Sequence, residues 1–112
     1  MKDSNTNIKF SYLYRDAGNY KIFGEVIFNN PENLSIEKIE NEVKNNLIDR
    51  AYFVPLALEI PVLVFDDYDK ELDHDWNEFE ILEITKEKAT DKRSMIEFIN
   101  QLKRQACKLR VL

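Results

Sequence analysis

The densest group of side chains able to hold a cation or move a proton runs from Asp66 to Trp76, DDYDKELDHDW. Asp67, Asp69, Glu71, Asp73, Asp75 and Glu78 occupy positions one, three, five, seven, nine and twelve of a twelve-residue window, the ligand spacing of a calcium loop. A calcium loop also needs glycine at its sixth place for a sharp turn, and Leu72 stands there. His74 takes the eighth place, and no helix is expected on either side. The stretch therefore reads as a solvated acidic loop rather than a calcium site. His74 lies between Asp73 and Asp75, where a neighbouring carboxylate could make it a general base or a metal ligand. No nucleophile or substrate pocket accompanies it, so a polar loop containing one histidine is the plainer account. A metal-dependent nuclease would pair an acid such as Asp66 or Asp67 with a (D/E)-x-K on the next strand, and Glu83-Ile84-Thr85-Lys86 has the wrong spacing. Cys107 has cationic neighbours in Lys103, Arg104 and Lys108 but no His or Asn pattern to complete a triad. The two glycines, Gly18 and Gly24, build no phosphate-binding loop. No catalytic residue, metal-ligand set or cofactor is expected.

Charge is the stronger signal. The chain of 112 residues carries a net −5, unevenly distributed. Asp66 to Glu87 holds ten acids and two bases, a balance of −8; Lys92 to Leu112 holds six bases and one acid, a balance of +5. An acidic surface repels phosphate, so direct nucleic-acid binding is not expected, although the last helix could touch a backbone locally. Val54 to Phe65 is the longest apolar stretch, and Pro55, Glu59 and Pro61 break it well short of the ~18 residues a membrane span needs. MKDSNTN has no hydrophobic segment behind its lysine, so it does not read as a signal peptide. One cysteine excludes an internal disulfide. A cytoplasmic protein with no membrane contact is expected.

The elements that must carry these residues follow from periodicity. Residues 1–7 are polar and expected to fray, leaving 8–112 as a single α+β domain. Ile8, Phe10, Tyr12 and Tyr14 point one way and Lys9, Ser11 and Leu13 the other, and Tyr20, Ile22, Val26 and Phe28 again share one face, which predicts a hairpin with its turn at Arg15 to Asn19. Gly24 interrupts the second strand and marks a bulge or a close contact. Leu13, Phe23 and Ile27 make the opposite face apolar enough to need a cover, from another element or from a partner. Ser35 caps an amphipathic helix carrying Ile36, Ile39, Val43 and Leu47 and ending near Asp49. Ala51 to Pro61 reads as a buried connection with one turn of helix, and Val62 to Phe65 as a short strand. Trp76 to Thr85 contains a strand whose apolar residues change parity, which a bulge would reconcile. Ser94 and Glu97 form a capping box ahead of a final helix with Ile96, Ile99, Leu102 and Ala106 on its buried stripe. The order ββα–ββα predicts an antiparallel sheet of about four strands with two helices, with a β-grasp arrangement as the alternative.

Three stretches, Tyr12 to Pro31 (YLYRDAGNYKIFGEVIFNNP), Glu71 to Glu80 (ELDHDWNEFE) and Arg93 to Leu102 (RSMIEFINQL), resemble a group of short single-domain bacterial and phage proteins without an established function. The resemblance spans nearly the whole chain and implies a stand-alone domain but no reaction. It also implies that a second histidine often stands where this chain has Asn77, so a paired-histidine metal site would be broken here.

The sequence thus points to a small acidic interaction module. Asp66, Asp67, Asp69, Glu71, Asp73, His74 and Asp75, with Tyr68 and Trp76 as aromatic anchors, would bind a protein partner with a basic surface. Such a module could block a nucleic-acid-binding groove, as phage anti-defence and toxin-neutralising proteins do by analogy. The alternatives are a metal-binding protein or metal-dependent enzyme centred on the Asp/His loop, and a small-ligand binder using Tyr12, Tyr14 and Tyr20.

Overall fold

Alternation of large apolar and polar side chains produces two nine-residue strands, β1 (Asn7–Arg15) and β2 (Lys21–Asn29). They pair antiparallel with Ile8 opposite Phe28, Phe10 opposite Val26 and Tyr12 opposite Gly24. The computed structural model describes residues 6–16, 18–63 and 76–111. Of the stretch expected to fray, residues 1–5 lie outside the described residues, whereas Asn7 is already in the sheet, opposite Asn29 and Thr85. At the hairpin turn one Asp16 carboxylate oxygen accepts from the N–H groups of Gly18 and Tyr20, both at 2.9 Å, and Asn19 supplies the left-handed residue at φ 68°.

The remaining elements are α1 (Ile36–Asn45), β3 (Tyr52–Phe53), α2 (Pro55–Leu58), β4 (Asn77–Thr85) and α3 (Met95–Val111). The sheet runs β2-β1-β4-β3 with every ladder antiparallel. The α+β class and the four-stranded antiparallel sheet match expectation; the ββα–ββα order does not, because a short helix separates β3 from β4. The third strand among the described residues is Tyr52–Phe53, inside the stretch expected to be a buried connection. Pro55, at the first helical position, turns the chain into α2 at once, and Glu59 in the left-handed region (φ 58°) ends it. Val62 and Leu63 then run without regular structure, and Val64 and Phe65 lie outside the described residues. The β-grasp alternative is also corrected, since that arrangement needs a parallel central pair and β1 and β4 are antiparallel.

Both longer helices begin as local chemistry directs. Ser35 Oγ accepts from Lys38 N–H at the start of α1, and Ser94 and Glu97 satisfy one another's backbone N–H groups at the start of α3. The helices cover one face of the sheet, where Phe10 meets the rings of Tyr12, Phe53, Phe79 and Phe98, and Phe28 stacks on Phe98 at 4.5 Å. Ile39, Val43, Met95, Ile99 and Leu102 complete this core. Met95 and Phe98 thus join the buried stripe of α3, while Ile96 is only half-buried. Gly24 marks a close contact rather than a bulge: a Cβ there would lie 3.0 Å from Leu63 Cδ2 and 3.3 Å from the Tyr12 ring. The bulge lies in β4, where Glu80 is the extra residue between Phe79, opposite Tyr12, and Ile81, opposite Ser11. It resets the parity so that Phe79 and Leu82 both pack on the core.

On the other face Leu13 and Ile27 are buried, and Phe23, opposite Leu13, is 59% exposed. The chain between β4 and α3 passes Lys9, which pairs with Glu87, and reaches the outer edge of β2. There Ile27 N–H donates to Thr90 Oγ1 at 2.9 Å, and Ile27 C=O accepts from the N–H groups of Thr90 and Asp91 at 2.9 and 3.2 Å. Among the described residues no helix is long and apolar enough to cross a membrane.

Candidate functional site

The start of β4 is where the structure meets the sequence expectation. Asp66, Asp67, Tyr68, Asp69, Glu71, Asp73, His74 and Asp75 lie outside the described residues. Trp76, next in the chain, is described, and at 44% exposure it is not a core residue. Its ring lies 6.0 Å from that of Tyr52 at 52°. Contacts among the described residues hold Tyr52 in place. Tyr52 is opposite Glu78 in the β3–β4 ladder, and Arg15 grips Glu78 with both arms, Nε to Oε2 at 2.8 Å and Nη2 to Oε1 at 3.1 Å. That hydrogen bond raises the pKa of Arg15 above its ordinary value. Asn77, between Trp76 and Glu78, is 1% exposed and opposite Phe53. Its Oδ1 accepts no hydrogen bond among the described residues, so the position implied for a second histidine holds a buried amide.

Tyr52 also walls an apolar cavity of about 110 Å³ between the end of α1, the β3–α2 corner and α3, together with Ile48, Val54, Leu58, Leu102 and Ala106. Leu56 of α2 is exposed. An aromatic pair beside an apolar recess and an exposed aliphatic residue can bury surface against a partner. Among the described residues no three His, Cys, Asp or Glu side chains come together as a metal site.

The other candidates are dispersed. Tyr12 and Tyr14 are buried in the core whereas Tyr20 is 71% exposed, so the three tyrosines share no ligand face. Tyr12 donates to the Pro61 carbonyl at 2.6 Å, and burial pushes its pKa up to about 12. Cys107 is an exposed thiol on α3. Arg93 is structural. It bonds both Asp91 carboxylate oxygens and the Leu58 and Glu59 carbonyls, and its guanidinium sits 5.2 Å from the Phe98 ring centroid. The hydrogen bonds from Arg93 lower the pKa of Asp91, and those to Asp91 raise that of Arg93.

The cations of α3 described here do not neutralise the acids of β4. Lys103 pairs with Glu42 of α1, and Arg104 bonds Gln101. Glu78 and Glu87 are met from β1, by Arg15 and Lys9. The hydrogen bond between Lys9 and Glu87 raises the pKa of the first and lowers that of the second. Glu80 and Glu83 are exposed and make no ion pair among the described residues. Tyr52 was hidden from sequence reasoning, because a two-residue strand has no periodicity and its only signal is an aromatic pair just ahead of Pro55. In comparisons with protein-family models, curated proteins and solved structures, none matches this chain.

Proposed function

We propose that the chain is a protein-interaction module that binds a partner with a basic surface through the Tyr52–Trp76 end of the sheet and the acidic stretch preceding it. The observation that carries this reading is the exposed Trp76 ring beside Tyr52, continuous in sequence with Asp66 to Asp75. Rigid aromatics supply contact area at low entropic cost, and neighbouring carboxylates steer a cationic partner and reject anionic ones. Its finer form is an inhibitor that occupies a nucleic-acid-binding groove in the cytoplasm, in the manner of phage anti-defence or toxin-neutralising proteins. The test is affinity capture with the wild-type chain, a Trp76→Ala variant and a charge reversal at Asp69, Asp73 and Asp75, at low and raised salt. A basic protein retained by wild type, released by salt and lost from both variants at unchanged melting temperature is the expected result. Equal capture by all three chains removes the reading.

A further inference from the structure

The two outer strands of the sheet end differently. Beyond β3, which is opposite Asn77 and Glu78, and the Ala51 carbonyl, which accepts from the Phe79 N–H at 2.8 Å, no strand among the described residues covers β4 from Glu80 to Thr85. Which backbone groups are open follows from the ladder. Ile27 sends its N–H and C=O outward to Thr90 and Asp91, and Lys9 is opposite Ile27. Neighbouring groups in an antiparallel sheet alternate, so Lys9 directs its own N–H and C=O to β4, onto Glu83. Leu82 and Ile84 therefore turn theirs to the uncovered edge.

We propose that this edge receives an extended, cationic peptide segment of a partner protein as an added strand. Main-chain hydrogen bonds to Leu82 and Ile84 would provide the affinity. Ile81, 47% exposed, and Ile84, 59% exposed, offer apolar contact on the two faces. The charge selects the occupant. Glu80 and Glu83 are exposed, and although Glu83 is opposite Lys9, that ammonium is bonded to Glu87, so lysine or arginine on the incoming strand meets opposite charge. A second copy of this chain would bring the same two carboxylates from the other side, and acidic residues on an edge strand oppose such self-pairing. The site is separate from the Tyr52–Trp76 end and does not rest on the reading given above.

The test titrates the isotope-labelled full chain with a short peptide of alternating lysine and valine, against a glutamate–valine peptide of equal length. Backbone resonances of Leu82 and Ile84 should shift and their amides gain exchange protection with the first peptide only. Glu80→Lys with Glu83→Lys should weaken that binding by about tenfold and admit the second peptide. Ile84→Pro removes an outward N–H without breaking a bond to β1 and should abolish it. Trp76→Ala should leave it unchanged, which keeps the two sites distinguishable. Equal binding of both peptides, shifts confined to Tyr52 and Trp76, or a dimer in sedimentation with Leu82 and Ile84 amides protected before any peptide is added would each overturn the proposal.

Discussion

At the β2 edge, Ile27 exchanges three hydrogen bonds with Thr90 and Asp91, and Arg93 fastens the same segment to α2 and to the aromatic core. At the β4 edge, the corresponding groups of Leu82 and Ile84 meet no strand among the described residues, and the flanking side chains are acidic. An unprotected edge invites pairing with whatever strand arrives. The molecule deals with one edge by covering it with its own chain and with the other by charging it. A covered edge contributes to stability and is closed to partners; a charged one contributes little and remains selective.

The sharpest way to break this contrast is at Arg93. Arg93→Ala should cost about 2–4 kcal/mol, because Asp91 and two carbonyls lose their donor together, and urea unfolding monitored by Trp76 fluorescence would read it. Acid should loosen the same clamp. The folded pKa of Asp91 is lowered from an ordinary 3.8, so its contribution is present above that value and is lost as pH falls through the lowered one. The stability gap between wild type and Asp91→Asn should accordingly narrow below pH 3.8. Thr90→Val leaves the Ile27 N–H without its acceptor and should cost about 1 kcal/mol, with faster exchange of that amide. On the open edge Ile84→Thr should change stability by less than about 0.5 kcal/mol, and the Ile84 amide should exchange quickly in the wild-type chain. Equal protection of the Ile27 and Ile84 amides would erase the distinction between the edges.

How far the residues alone could be read varies along the chain. The β1–β2 hairpin was legible because its side chains alternate over two full strands, and the caps of α1 and α3 because Ser35, Ser94 and Glu97 act within a few residues of where they stand. Gly24 announced a constraint without revealing its cause, since Leu63 and Tyr12 reach it from elsewhere in the chain. The parity change in β4 was visible, but only the register with β1 assigned it to Glu80. β3 is not legible in the sequence because a strand of two residues is defined by its partner, and Val62 to Phe65 is more strand-like by composition. Of the expected binding residues, Trp76 is the one the structure describes, and its exposed setting depends on Tyr52 and Arg15, which stand far from it in sequence, as well as on nearby Glu78.

By itself the sequence determined an α+β domain with an aromatic hairpin, two capped helices and an acidic centre, all properties carried by neighbours a few residues apart. Tertiary structure decided which described strand became the third, which edge was covered by the chain's own backbone and which cations met Glu78 and Glu87. Those outcomes require contacts such as Ile27 with Thr90, which are 63 residues apart, and a local pattern holds no information about so distant a partner.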